Sequence, residues 1–105
     1  RMDAFTPRLL RYGVNAMIGK GERGEAVRAA IMETGAVYFA AIGGCAAYMA
    51  ACVEALEVVA YDDLGTESIK RLTVRDLPLT VALDAQGGDA YAMGAERYRE
   101  LCQNP

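Results

Sequence analysis

The sequence predicts an α/β domain in which a mixed sheet is flanked by helices. Three observations predict it. The first half alternates short apolar runs with amphipathic segments in the order βαβα. Within it, Ala36-Val37-Tyr38-Phe39-Ala40-Ala41 is continuously apolar, as in strands covered on both faces. The second half turns strand-rich: Leu77, Leu79, Val81 and Leu83 alternate with Pro78, Thr80, Ala82 and Asp84, the period of a half-buried strand.

Each element follows from local chemistry. Thr6-Pro7 starts the first helix, with Thr as the cap and Pro at the first helical position, where its missing N–H costs no hydrogen bond. That helix runs to Tyr12 and stops at Gly13. Val14 to Ile18 is a short apolar strand, and Gly19-Lys20-Gly21-Glu22-Arg23-Gly24 a glycine-punctuated charged loop. Glu25 to Thr34 reads as a helix with Val27, Ala30, Ile31 and Thr34 on one face, ended by Gly35. After the apolar strand, Gly44 to Val53 is the next helix and Leu56 to Tyr61 the next strand. Asp62-Asp63-Leu64-Gly65 is a turn, and Ile69 to Val74 a strand with imperfect alternation. Pro78 places the following strand at an edge or near its own start. Asp84 to Asp89 is a turn, and Glu96 to Cys102 a closing helix. No segment repeats.

Composition bounds the rest. At 105 residues the chain has room for one core, so residues 1–105 are read as a single domain. Nineteen alanines make that core one of small side chains. There is no histidine, which removes Ser-His-Asp and Cys-His catalysis and histidine metal sites. The net charge of −3 argues against a nucleic-acid partner. It is unevenly spread, at +2 over residues 1–53 and −5 over residues 54–105, so an anion site belongs in the first half. The uncharged run from Gly35 to Val53 has nearly the length of a membrane span, but its alanines and glycines gain little from lipid. A strand turning through Gly43-Gly44 into a helix explains it better. Cys45, Cys52 and Cys102 form no CxxC pair and read as reduced thiols of a cytoplasmic protein. The start at Arg1, without a basic-then-apolar leader, reads as a beginning inside a longer polypeptide.

Three places could hold chemistry. The Gly19–Gly24 loop lies between a strand and a helix, where α/β proteins place ligands, and its glycines let a backbone approach an anion. Lys20 stands out there, against the plainer reading of a solvated loop lysine. Arg23 reads as a surface or helix-start residue. The loop is read as neither GxGxxG nor GxxxxGK[ST], and so as no nucleotide fingerprint. Gly43-Gly44 is a second anion cradle or simply a tight strand–helix turn. Asp62, Asp63 and Glu67 are a cation site or, more simply, a solvated acidic face.

Several strings together then carry a resemblance: Arg1-Met2-Asp3 continuing to Phe5-Thr6-Pro7, Met17-Ile18-Gly19-Lys20-Gly21-x-Arg23, Gly35-Ala36-Val37-Tyr38-Phe39, Ile42-Gly43-Gly44, Glu57-Val58-Val59-Ala60-Tyr61-x-Asp63-Leu64-Gly65, and Val74-x-Asp76-Leu77-Pro78. From Arg1 to Tyr91 the chain resembles the C-terminal domain or β subunit of the class I iron–sulfur hydro-lyases, which include class I fumarate hydratase and L(+)-tartrate dehydratase. The resemblance implies a swivelling β/β/α-type domain and hydration of a C4 dicarboxylate, fumarate to malate or the tartrate equivalent. It implies a [4Fe–4S] cluster held by an α subunit or N-terminal cluster-binding domain, so that no cysteine here is a ligand, and an oligomer of αβ units in the cytoplasm. It assigns substrate binding to Arg1 and Lys20. A planar fork and a point charge suit the two carboxylates. The family's Thr-Thr-x-Gly stretch, with its catalytic base, does not occur in this sequence, so no catalytic residue is assigned within it. Residues 92–105 match no motif of the family. The rival is a stand-alone module that binds a small anion on the same fold.

Overall fold

A computed structural model describes residues 1–41, 44 and 46–103. The fold is mixed α/β, with helices flanking a small mixed sheet as the sequence predicts. The chain divides into two compact units, Arg1–Ala41 with Leu79–Pro105, and Ile42–Pro78.

In the first unit, α1 spans Thr6–Arg11. Its cap is Phe5, one residue earlier than expected, because Thr6 turns its hydroxyl back to donate to the Met2 carbonyl at 2.9 Å. Strand β1 covers Ala16–Gly19 rather than starting at Val14, whose amide is spent closing α1 on the Leu9 carbonyl. Helix α2 is Glu25–Thr34, the range read from the sequence. Gly35 ends it in the left-handed conformation (φ 73°), its N–H donating to Ile31.

Strand β2, Val37–Ala40, is central. It runs parallel to β1 in the register Ala16 to Val37 through Gly19 to Ala40, and antiparallel to β5, Thr80–Leu83. Only Tyr38 of β2 is fully buried; its neighbours are half-buried, less covered than the continuous apolar run suggested. β5 is shorter than the alternation from Leu77 implied. Leu77 and Leu79 flank Pro78, which has no N–H to give a ladder, and pairing begins at Thr80. Helix α4, Ala90–Gln103, starts six residues before the expected Glu96. Asp89 caps it, its carboxylate accepting from the amides of Tyr91 and Ala92 at 3.0 and 3.2 Å. The core joins Leu10, Val27, Ala30, Ile31, Ala36, Tyr38, Ala82 and Leu83.

The second unit holds α3, Ala46–Ala51, then β3, Val53–Ala60, a 3₁₀ segment, Asp62–Glu67, and β4, Ile69–Val74. β3 begins three residues before the expected Leu56 because Val53 already pairs with Val74. The two strands form an antiparallel ladder with Leu56 opposite Leu72 and Glu57 opposite Arg71. Val58 and Val74, two residues along, share the Leu56–Leu72 side. These four side chains are 39–57% exposed, so beside Lys70, which stands opposite Val58 on the same side, the ladder carries an uncovered apolar cluster among the described residues. Lys70 reaches back to the Gly65, Thr66 and Ser68 carbonyls at 3.1–3.3 Å and fastens the intervening turn. The uncharged run 35–53 thus holds a four-residue strand and a six-residue helix. No described helix is long and apolar enough to cross a membrane.

Candidate functional site

The N-terminal segment is fastened to the Gly19–Gly24 loop. Asp3 is the fastener: its carboxylate accepts the Gly24 N–H at 2.7 Å and lies 3.9 Å from Nε of Arg23. The second distance is an electrostatic contact rather than a hydrogen bond. From below, β2 supports the same loop through Tyr38, whose hydroxyl donates to the Gly21 carbonyl at 2.8 Å. The Arg23 guanidinium lies over the Tyr38 ring, 4.6 Å from its centroid, a cation–π geometry. Gly19 makes this possible. A Cβ there would collide with the Arg23 guanidinium and touch the Tyr38 ring at 3.4 Å. Burial pushes the Tyr38 phenol above its ordinary value of 10.0; Tyr91 and Asp3 push the same way, and the Arg23 charge opposes them. The phenol therefore stays neutral and donates, which makes it a prop for the loop and not a base.

Arg1 and Lys20 are both exposed. Arg1 lies two residues before Asp3, and Lys20 one residue before Gly21, so the fastening brings the two segments that carry them together. Among the described residues, no carboxylate forms an ion pair with Lys20. Arg23 is not the surface residue its position suggested. Its side chain is three-quarters covered, at 25% exposure. Sequence reasoning had one signal for this, glycines at both 19 and 24, but nothing in the string pairs an arginine with a tyrosine fifteen residues away.

The reading of this loop as no nucleotide fingerprint, on the ground that it lacks GxGxxG, needs correcting: its spacing, Gly19-x-Gly21-x-x-Gly24 between a strand and a helix, is that of a dinucleotide-binding turn. Two features separate it from one. The N–H of Gly24, at the N-terminus of α2, is already taken by the Asp3 carboxylate. Nor does an acidic residue follow β2, where Ala40-Ala41 stand in place of the ribose-binding carboxylate. An apolar pocket of about 290 Å³ opens beside Arg23, lined by Met2, Leu9, Leu10, Met17 and Ile18 among others. Its walls suit no doubly charged ligand.

The described residues do not fit an iron–sulfur cluster. Among them, no three His, Cys, Asp or Glu side chains are grouped to hold a metal. The buried Cys52 thiol lies against the Tyr48 and Asp76 carbonyls, at 3.4 and 3.6 Å, and donates there. Cys102 is exposed on α4. Cys45 and Gly43 lie outside the described residues, and with them the Gly43-Gly44 cradle. Asp62, Asp63 and Glu67 are exposed on the 3₁₀ segment.

Comparison with known proteins adds to this geometry. A family model described as Fumarase C-terminus matches residues 1–94. The aerobic class I fumarate hydratase of Escherichia coli is 36% identical over 93 residues, which cover 87% of this chain and 17% of that protein. Fumarate hydratase 1, mitochondrial, of Leishmania major is 32% identical over 93 residues. A Methanocaldococcus jannaschii protein described as an L(+)-tartrate dehydratase subunit beta is 37% identical over 81 residues, 42% of its length. The chain thus spans about a sixth of the curated fumarate hydratases it matches, 16–17% of their length. With a family model matching nearly its whole length, the chain belongs to the fumarase C-terminus family.

Proposed function

We propose that this chain is the C-terminal domain or β subunit of an iron–sulfur hydro-lyase that reversibly hydrates fumarate to malate. One observation carries the proposal. In a chain of the fumarase C-terminus family, Asp3 fastens the Arg1 segment to the Lys20 loop, which supports a site for a dianion on the two segments that carry these cations. Arg1 holds one carboxylate through its planar fork. Lys20 meets the second carboxylate or a hydroxyl as a point charge, with Gly19 and Gly21 keeping side chains out of the way. Both groups replace the water a twice-charged substrate gives up on binding. The acid–base residue and the [4Fe–4S] cluster belong to the remainder of the enzyme, where the cluster supplies a Lewis-acidic iron. Carboxylate binding by Arg1 and Lys20 serves L(+)-tartrate equally, and the likeness to a tartrate dehydratase β subunit favours assaying both substrates.

The α part is the proposed partner, in an oligomer of αβ units in the cytoplasm. The uncovered cluster of Leu56, Val58, Leu72 and Val74 supports a partner, and an obligate interface would bury about 2,000 Å² or more. The test uses the complete enzyme, purified anaerobically with its α part. Interconversion of fumarate and malate, or dehydration of tartrate, is expected. A cluster-loaded enzyme inactive on both would overturn the reading. Replacing Cys45, Cys52 or Cys102 by serine in that enzyme should leave the broad absorbance at about 400 nm intact. Loss of that band with any of the three would move the cluster to this chain.

A further inference from the structure

We propose that Arg23 is a positioning residue, which sets the place of Arg1 and Lys20 relative to each other without touching substrate. This inference rests on the functional reading above. The Arg23 side chain meets all three parts of the site. Its guanidinium covers the Tyr38 ring on the central strand, 4.6 Å from the centroid. Nε faces the Asp3 carboxylate at 3.9 Å, and Asp3 in turn holds the Gly24 amide. One guanidinium nitrogen occupies the space a Cβ of Gly19 would need, directly before Lys20.

The chemistry suits a spacer. A guanidinium is flat, stays charged at any working pH and has its donors in a fixed fork, so it can lie on a ring and face a carboxylate at once. Here the ring is fully buried and its hydroxyl anchors the Gly21 carbonyl. The stack therefore has a rigid floor. With its side chain only 25% exposed, Arg23 has little freedom to swing toward a ligand. What it controls is the gap between the Arg1–Asp3 segment and the loop at Gly19. Two cations that must meet two carboxylates of one rigid substrate depend on that gap.

Two variants probe it in the complete enzyme. Arg23→Gln removes the stack and the charge. Gly19→Ala leaves Arg23 in place but pushes its guanidinium aside, at a position where the backbone needs no left-handed conformation and the displaced atom is the end of a flexible side chain. Each should lower kcat/KM for fumarate by about ten- to a hundredfold, as expected when a binding group is misplaced by about 1 Å. The loss should fall mainly on KM. Arg23→Lys keeps a charge for Asp3 but cannot lie flat on the ring, and should restore less than half of the loss on a logarithmic scale.

The decisive measurement is non-additivity. In a Lys20→Ala background, Arg23→Gln should cost less than about threefold, because the group it positions is gone. Gly19→Ala should likewise add little to Arg23→Gln. A merely structural role would instead lower the yield of folded enzyme and multiply with Lys20→Ala. If Lys20→Ala lowers kcat/KM and the two losses multiply, or if Arg23→Gln has no effect, the positioning role is overturned while the functional reading stands. If Lys20→Ala itself has no effect, the substrate-binding role of Lys20 fails and the positioning role fails with it; the hydro-lyase reading fails separately, when the cluster-loaded enzyme is inactive on both substrates.

Discussion

Lys20→Ala in the complete enzyme is expected to lower kcat/KM on the dicarboxylate by about two to three decades, or about 3–4 kcal/mol, the cost of removing one partner of a desolvated charged hydrogen bond. Folding should be nearly unaffected, since Lys20 is exposed and an exposed loop lysine contributes little to stability. Lys20→Arg should recover only part of the loss, because a planar guanidinium fork does not present its donors as the compact ammonium does. Steady-state kinetics on fumarate and tartrate, with matched cluster content, check it. Activity near the wild-type value on both substrates would make Lys20 a solvated loop residue.

Tyr38→Ala should produce the largest loss of stability in the first unit, about 3–5 kcal/mol, because it empties the site of the largest fully buried side chain. Tyr38→Phe should cost much less, about 1 kcal/mol for the hydrogen bond to Gly21, whose carbonyl can turn to water. Urea unfolding of the two variants separates packing from hydrogen bonding. The pH dependence separates them again. Burial holds the folded phenol's pKa above its unfolded value of 10.0, so its contribution is complete below that pH. It is lost as the pH rises from there through the folded pKa. Tyr38→Phe should remove that alkaline loss; an unchanged alkaline profile would place the titrating group elsewhere.

What was legible in the sequence was what periodicity encodes. Helix α2 was readable because Val27, Ala30 and Ile31 fall on one face and Gly35 terminates them; β4 was readable as a strand over Ile69–Val74 despite its imperfect alternation. The mixed sheet was readable from βαβ order followed by strands. Several other element ends were not, because side chains decide them over distances periodicity does not report. Thr6 turned back to Met2 and shifted the start of α1, and Asp89 capped α4 six residues before the apolar pattern announced a helix. Lys20 could be singled out by its flanking glycines. The Arg23 stack could not, since it joins a loop to a strand residue by a contact that has no sequence spacing.

The β3–β4 ladder bears on how the chain behaves at high concentration. Among the described residues its two strands pair only with each other, so both outer edges offer unpaired amides and carbonyls beside leucine and valine. Such an edge is a template for a strand from another molecule. Counter-measures sit close by: Arg71 pairs with Glu57 at 3.4 Å and Arg75 with Glu54 at 2.9 Å, four largely exposed charges that a docking strand would have to strip of water. Concentrated salt screens such charges over a Debye length of about 3 Å at 1 M, leaving the apolar cluster unopposed. Those four charges therefore oppose edge-to-edge pairing most strongly at low ionic strength, and less as salt is added.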